Sequence, residues 1–148
     1  HEELVSLIGI YEYFENLYSH HFNDGNLSIR KKITKINELI AEHEQKIANP
    51  ILEFISSNNN LKLIGKNYIS NKNRAPTISF VSKKISSKEL SDKLVESMIA
   101  TRNDNFYAWR CLEALGIDTL DGVVRISLVH YNKLEETSKL INSLEKIT

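Results

Sequence analysis

An arginine lies inside the segment that most strongly predicts a β-strand, residues 123–128. Successive side chains of a strand point to opposite faces, so the apolar Val124, Ile126 and Leu128 share one face. Arg125 is therefore predicted to face away from the more apolar side. A guanidinium can form two parallel charge-assisted hydrogen bonds with a carboxylate. Arg125 is thus a candidate carboxylate ligand, with a solvated surface arginine as the alternative.

A second arginine and three aromatic residues form another candidate group. Arg102 falls in a predicted short loop before a helix, and Phe106, Tyr107 and Trp109 follow it. The aromatic residues could wall an active site, although aromatic side chains at a helix start more often belong to the core. Arg102 is either a substrate contact or an ordinary loop arginine.

Other residue types that often do chemistry give weaker signals. The single Cys111 cannot form an internal disulfide, which agrees with a reducing, cytoplasmic setting, and its side chain is expected to pack inside. His20 and His21 are adjacent, so they cannot face the same way on a helix, and no third ligand stands at a suitable spacing. The sequence therefore predicts no metal site, and no residue is assigned a catalytic role.

Composition narrows the function classes further. The 148 residues contain 19 lysine and arginine and 19 aspartate and glutamate residues, so no net field would attract nucleic acid or an anionic membrane. The longest apolar runs fall far short of the roughly 18 to 20 residues of a membrane-spanning helix. The chain is predicted to be soluble, without nucleic-acid or membrane partners.

Helical periodicity dominates the first part of the chain. Apolar residues recur three and four apart over residues 2–18 and again over residues 29–54, which predicts an amphipathic helix followed by an unusually long one. The long helix is expected to bridge two bodies and to bend near Pro50. Residues 1–58 are therefore assigned to a helical segment.

Residues 59–148 are assigned to an α+β domain. Short β-prone segments are predicted as strands at 61–65, 77–81, 99–101 and 123–128. Ser86 with Glu89 and Asn132 with Glu135 are predicted to form capping boxes that start two helices. A further helix is expected to begin after Asp104 or Asn105 and to stop at Gly116. The predicted architecture is a short sheet with helices packed mainly on one face.

Three segments together resemble the C-terminal domain of class V aminotransferase and cysteine desulfurase-like enzymes, which are pyridoxal-phosphate (PLP) enzymes of fold type I. They are Arg-Ala-Pro-Thr-Ile-Ser-Phe at 74–80, Asn-Phe-Tyr-Ala at 105–108, and Gly-Val-Val-Arg-Ile-Ser-Leu-Val-His-Tyr-Asn at 122–132 followed by Leu-Glu-Glu at 134–136. In that family, a strand that carries an arginine and a Tyr-Asn pair that starts the final helix recur together. The first helix and His43-Glu44 also resemble family segments, so the resemblance covers essentially the whole chain.

This resemblance implies roles for three residues. Arg125 would bind the α-carboxylate of a small amino-acid substrate, and Arg102 would lie near the substrate entrance. Tyr107 stands where cysteine desulfurases carry their nucleophilic cysteine, so the resemblance does not imply desulfuration. These three residues are the predicted substrate-binding set.

The same resemblance bears on cofactor and assembly. The family's cofactor lysine and cofactor-binding residues lie upstream of the position matching His1, so we expect a fragment of a PLP enzyme that binds no PLP by itself. The apolar face of the first helix would be left uncovered, which favours a homodimer, with folding back on the second helix as the alternative. A non-enzymatic α+β module that binds a ligand or assembles with another chain is the alternative.

Overall fold

The computed structural model describes residues 2–23, 27–69 and 74–148, with side chains from Val5 onward. Over these residues the secondary structure is α1 (Glu2–His21), α2 (Ile29–Ser57), β1 (Leu61–Ile64), β2 (Thr77–Ser82), α3 (Ser87–Glu96), β3 (Arg102–Asp104), α4 (Trp109–Ala114), β4 (Val123–Ser127) and α5 (Leu134–Ile147). The chain divides into two compact units, His1–His43 and Glu44–Thr148. The domain boundary predicted after residue 58 stays a prediction.

The first unit contains α1 and the beginning of α2. Tyr18 and Ile36 are buried. The ammonium of Lys32 lies 2.6 Å from a carboxylate oxygen of Glu15 and 5.3 Å from the centroid of the Tyr18 ring. Apolar side chains on the earlier part of α1 remain exposed, including Leu7 at 58%. The homodimer predicted from that face stays a prediction.

The second unit is built on a four-stranded antiparallel sheet with the order β1-β2-β4-β3. Its two central strands, β2 and β4, carry alternating apolar residues that are fully or almost fully buried on one face, namely Ile78, Phe80, Val124 and Ile126. This core face packs against the end of α2, α3 and α5, which contribute Ile51, Ile55, Leu90, Leu94, Leu140 and Leu144. The alternation of apolar residues along β4 thus determines which face of the strand packs in the core.

The opposite face of the sheet, called here the second face, has a smaller apolar cluster. Val123 at the start of β4 packs with Leu112 of α4 and Ile117. The helices of this unit therefore lie mainly on the core face, as predicted, and α4 lies on the other.

Several predicted element boundaries are confirmed. Strand β4 contains the predicted alternation, and α2 continues through Pro50 to Ser57. The Ser86 side chain accepts the hydrogen bond from the Glu89 backbone N–H that a cap requires. Gly116 follows α4 with a φ of 67°, the left-handed conformation that ends a helix.

The strands β1, β2 and β4 end within one residue of the predicted positions, and other boundaries differ from the prediction in ways that affect the site. The brief strand lies at Arg102–Asp104 instead of 99–101, and α4 begins at Trp109, four residues beyond Asn105. The residues between β3 and α4 form a turn instead of a helix start. In this turn Phe106 and Tyr107 have φ values of 52° and 61°. The box at α5 is one residue later than predicted, because the Glu136 carboxylate accepts from the backbone N–H of Lys133 at 2.7 Å.

Candidate functional site

The sheet register places the two predicted arginines side by side. Arg102 of β3 pairs with Arg125 of β4, and Ser79 of β2 pairs with Arg125 from the other side. Residues directly opposite each other in an antiparallel pair share a face, so both arginines belong to the second face. Within the described residues neither arginine forms a salt bridge. Two adjacent cations without an acidic partner favour an anionic ligand.

The Arg125 side chain is half-buried, and its contacts are unusual for an arginine in that environment. The guanidinium carbon lies 4.1 Å from the centroid of the Phe106 ring. Its Nε is the one buried side-chain polar atom of the described residues that has no hydrogen-bond partner. The two terminal nitrogens also form no hydrogen bond within the described residues, but unlike Nε they are not buried. They therefore reach solvent. The end of the fork is therefore available to a carboxylate.

A tight turn between β3 and α4 brings Phe106 to this position. The Asn105 side-chain oxygen accepts from the Tyr107 N–H at 3.0 Å, and its amide donates to the Thr119 carbonyl at 3.3 Å. The Asn105 carbonyl accepts from the Ala108 N–H at 2.8 Å. These bonds stabilise two consecutive residues in the left-handed region, which costs roughly 1–3 kcal/mol at a non-glycine residue. Asn105 is thus a turn residue, not the helix cap that was predicted as one possibility.

Gly122 fixes the place where this turn leaves the sheet. Its φ is 68°, and a β-carbon built on it would lie 2.3 Å from the carbonyl carbon of Asp104. Only a residue without a side chain permits this approach between the end of β3 and the start of β4. The glycine therefore helps to position Phe106 relative to Arg125.

The other residues singled out from the sequence lie elsewhere. The Tyr107 side chain is fully exposed, and its predicted substrate role stays a prediction. Cys111 is exposed as well, so the expectation that it packs inside is wrong. Leu112, the next residue, takes the buried position of α4. Phe106 could not be distinguished from its aromatic neighbours in the sequence, because no local signal indicated the turn.

A cleft of about 340 Å³ lies at the end of β4 and the start of α5. Its polar lining includes Thr101, Ser127, Asn132, Glu136 and Lys139. Hydrogen bonds from the Lys133 backbone N–H and the Asn132 amide lower the pKa of Glu136. Ser127 shares the second face with Arg125, whereas Ile126, Leu128 and Leu140 of the lining belong to the core side, and neither arginine lines the cleft.

Among the described residues, no group of three or more histidine, cysteine, aspartate or glutamate side chains is arranged to hold a metal ion. None of their helices combines the length and apolar content that a membrane span requires.

Comparison with known proteins identifies the family. Residues 31–140 match the family model described as aminotransferase class-V. The aminotransferase-like protein FGM3 of Gibberella zeae is 35% identical over 112 residues, which cover 74% of this chain and 28% of that protein. The chain belongs to the aminotransferase class-V family. It spans little more than a quarter of the length of this relative.

Solved structures agree with this fold. The cysteine desulfurase of Thermococcus onnurineus is similar with a TM-score of 0.68 and 24% identity, over 80% of this chain and 28% of that protein. The cysteine desulfurase CsdA of Escherichia coli is similar with a TM-score of 0.60 and 17% identity, over 72% of this chain and 24% of that protein. The α+β fold of this chain is therefore similar to part of PLP enzymes of fold type I, as the sequence predicted.

Proposed function

We propose that this chain is the C-terminal, substrate-side part of a larger PLP-dependent enzyme that acts on a small amino acid. In this proposal Arg125 binds the α-carboxylate of the substrate, and Arg102 and Tyr107 lie near the substrate entrance. The half-buried guanidinium of Arg125, with accessible terminal nitrogens and no acidic partner among the described residues, supports the proposal. A homodimer in the cytoplasm is part of the same proposal.

We infer that the described residues bind no PLP by themselves. Every described lysine side chain is at least partly exposed, whereas a lysine that bonds covalently to PLP has to be held and activated within a pocket. We therefore assign to this chain substrate binding alone. The cofactor would be held by other parts of the longer enzyme, and the isolated chain would be inactive.

The chemistry of Arg125 explains what such a part contributes. A planar fork fixes both the position and the rotation of a carboxylate, which a point charge cannot do. An amino acid held in this way presents its α-carbon in a defined orientation. Because Val124 and Ile126 are buried on the core face, the backbone that carries the fork is held rigidly.

The test is the substitution Arg125→Ala in the full-length enzyme that contains this chain. Loss of a bidentate charge-assisted contact should lower kcat/KM for the amino acid about 30-fold to 1000-fold, equivalent to about 2 to 4 kcal/mol. PLP content should be unchanged. Arg125→Lys should restore only part of the activity, because a single ammonium does not reproduce the fork.

Arg110→Ala serves as the matched control, since Arg110 is an exposed arginine on α4. It should leave kcat/KM close to that of the unmodified enzyme. Near-normal turnover of Arg125→Ala together with a lowered melting temperature would instead make Arg125 a structural residue. That result would remove the proposed carboxylate-binding role from this part of the enzyme.

A further inference from the structure

The orientation of Arg125 depends on an aromatic ring, because the usual partners of a half-buried arginine are absent from the described residues. No carboxylate pairs with it there, and its buried Nε donates to nothing. The contact that does restrain the guanidinium is the face of Phe106, with 4.1 Å between the guanidinium carbon and the ring centroid. This distance is well inside the roughly 6 Å range of a cation–π interaction.

The backbone conformation at Phe106 is a second observation that supports a positioning role for this residue. With a φ of 52°, the position would suit glycine or asparagine better than an aromatic residue. The chain nevertheless carries a phenylalanine there, and Asn105 stabilises the turn through its side chain. Strain of this kind is concentrated at functional sites, where the surrounding structure holds a side chain in a required place.

We propose that Phe106 is a positioning residue, which holds the Arg125 guanidinium so that its two terminal nitrogens face the substrate carboxylate. This inference rests on the proposed function of Arg125. The ring restricts the rotation of a side chain that otherwise has large rotamer freedom, and it does so without occupying any hydrogen-bond donor of the fork. An acidic partner in the same place would bind the guanidinium but would compete with the substrate for its donors.

The test is a double-mutant cycle in the full-length enzyme, with Phe106→Leu, Arg125→Ala and the combination of both. Phe106→Leu should lower kcat/KM for the amino-acid substrate about 5-fold to 30-fold, mainly by raising KM, because a partly desolvated cation–π contact contributes on that order. In the Arg125→Ala background the same change should alter kcat/KM less than about twofold. Phe106→Tyr keeps an aromatic face and should restore most of the activity.

Two controls separate positioning from general structural effects. An amine analogue of the substrate that lacks the carboxylate should react equally well with the unmodified enzyme and with Phe106→Leu. Tyr68→Leu removes an exposed aromatic ring from the segment after β1, which is the edge strand opposite to β3, and should leave KM unchanged. A Phe106→Leu loss that persists in the Arg125→Ala background, or with the amine analogue, would overturn the inference while leaving the role of Arg125 intact. If Arg125→Ala itself has no effect, both the proposed function and the inference fail.

A measurement on the unmodified protein covers the case in which Phe106→Leu does not fold. A guanidinium above a ring should have its Nε–H proton resonance shifted upfield and its Nε–H vector immobilised. A shift and mobility typical of exposed arginine side chains would show that the ring does not hold Arg125, and would overturn the inference.

Discussion

The two faces of the sheet are built from the same strands but do different work. On the core face, Phe80 and Val124 are fully buried and packed by three helices. On the second face, the neighbouring position on β4 is Arg125, with Arg102 beside it. A strand that is locked from one side by apolar packing can thus present a polar group on the other with little freedom of movement. The tight packing of the core face therefore allows the strand to hold Arg125 in a defined orientation on the second face.

The second face is itself divided. At the start of β4, Val123 packs with Leu112 and Ile117 and closes that end. Two residues further along, Arg125 is covered only in part, by Phe106. The surface therefore changes from buried to accessible between Val123 and Arg125, which are successive residues on this face. Gly122 and the turn after β3 determine the position of this change.

The largest expected effect comes from breaking the core face. Phe80→Ala should lower the free energy of unfolding by about 3–5 kcal/mol, because it leaves a cavity in a fully buried cluster. Arg125→Ala, on the other face of the adjacent strand, should change it by no more than about 1 kcal/mol, since it removes one partly exposed contact. Denaturant unfolding of the two variants measures both values.

A comparable loss of stability in the two variants would contradict the distinction between a stabilising core face and a substrate-binding second face. It would mean that the Arg125–Phe106 contact is part of the core and not an element of the site. The m-value should stay constant in both variants, which confirms that the comparison concerns the folded state.

An intermediate effect is expected where the two arginine-bearing strands meet. Gly122→Ala should destabilise the protein by about 2–4 kcal/mol, because it combines a left-handed backbone conformation with a steric clash against Asp104. Gly116→Ala is the matched control, since its φ of 67° is nearly the same but no atom lies within 4 Å of the added carbon. Thermal unfolding of both variants isolates the cost of the close approach.

If Gly122→Ala and Gly116→Ala cost the same, the contact between β3 and β4 would not be tight enough to position the turn. If Gly122→Ala costs more and also weakens substrate binding in the full-length enzyme, the approach of these strands matters for both faces.

The contrast between the faces also explains what the sequence could predict. Strand β4 and the outward orientation of Arg125 followed from alternation, because burial on the core face imposes a strict period. The strand at 102–104 was misplaced by three residues, since Arg-Asn-Asp on an edge strand has no apolar pattern. The Phe106 turn could not be predicted, because distant groups such as the Thr119 carbonyl and Gly122 determine its left-handed backbone.

The smallest expected effect concerns Glu136 in the first turn of α5, the helix that packs on the core face and lines the cleft at the end of β4. The Lys133 backbone N–H and the Asn132 amide lower the pKa of this carboxyl below its ordinary value of 4.5. As the pH falls, the unfolded chain therefore takes up the proton before the folded chain does. The stabilisation by the carboxylate is thus complete above the ordinary pKa and is lost as the pH falls through the lower, folded-state pKa.

Glu136→Gln should consequently lower the melting temperature slightly at pH 7, by about 1–3 °C, and this difference from the unmodified protein should shrink as the pH falls below the ordinary pKa. Glu135→Gln removes the same formal charge from the same turn and leaves both hydrogen bonds to Glu136 in place, so its effect should be smaller. Equal effects of the two substitutions would assign the stabilisation to the helix dipole. If the difference in melting temperature between Glu136→Gln and the unmodified protein persists unchanged at low pH, the ionised carboxylate does not cap α5.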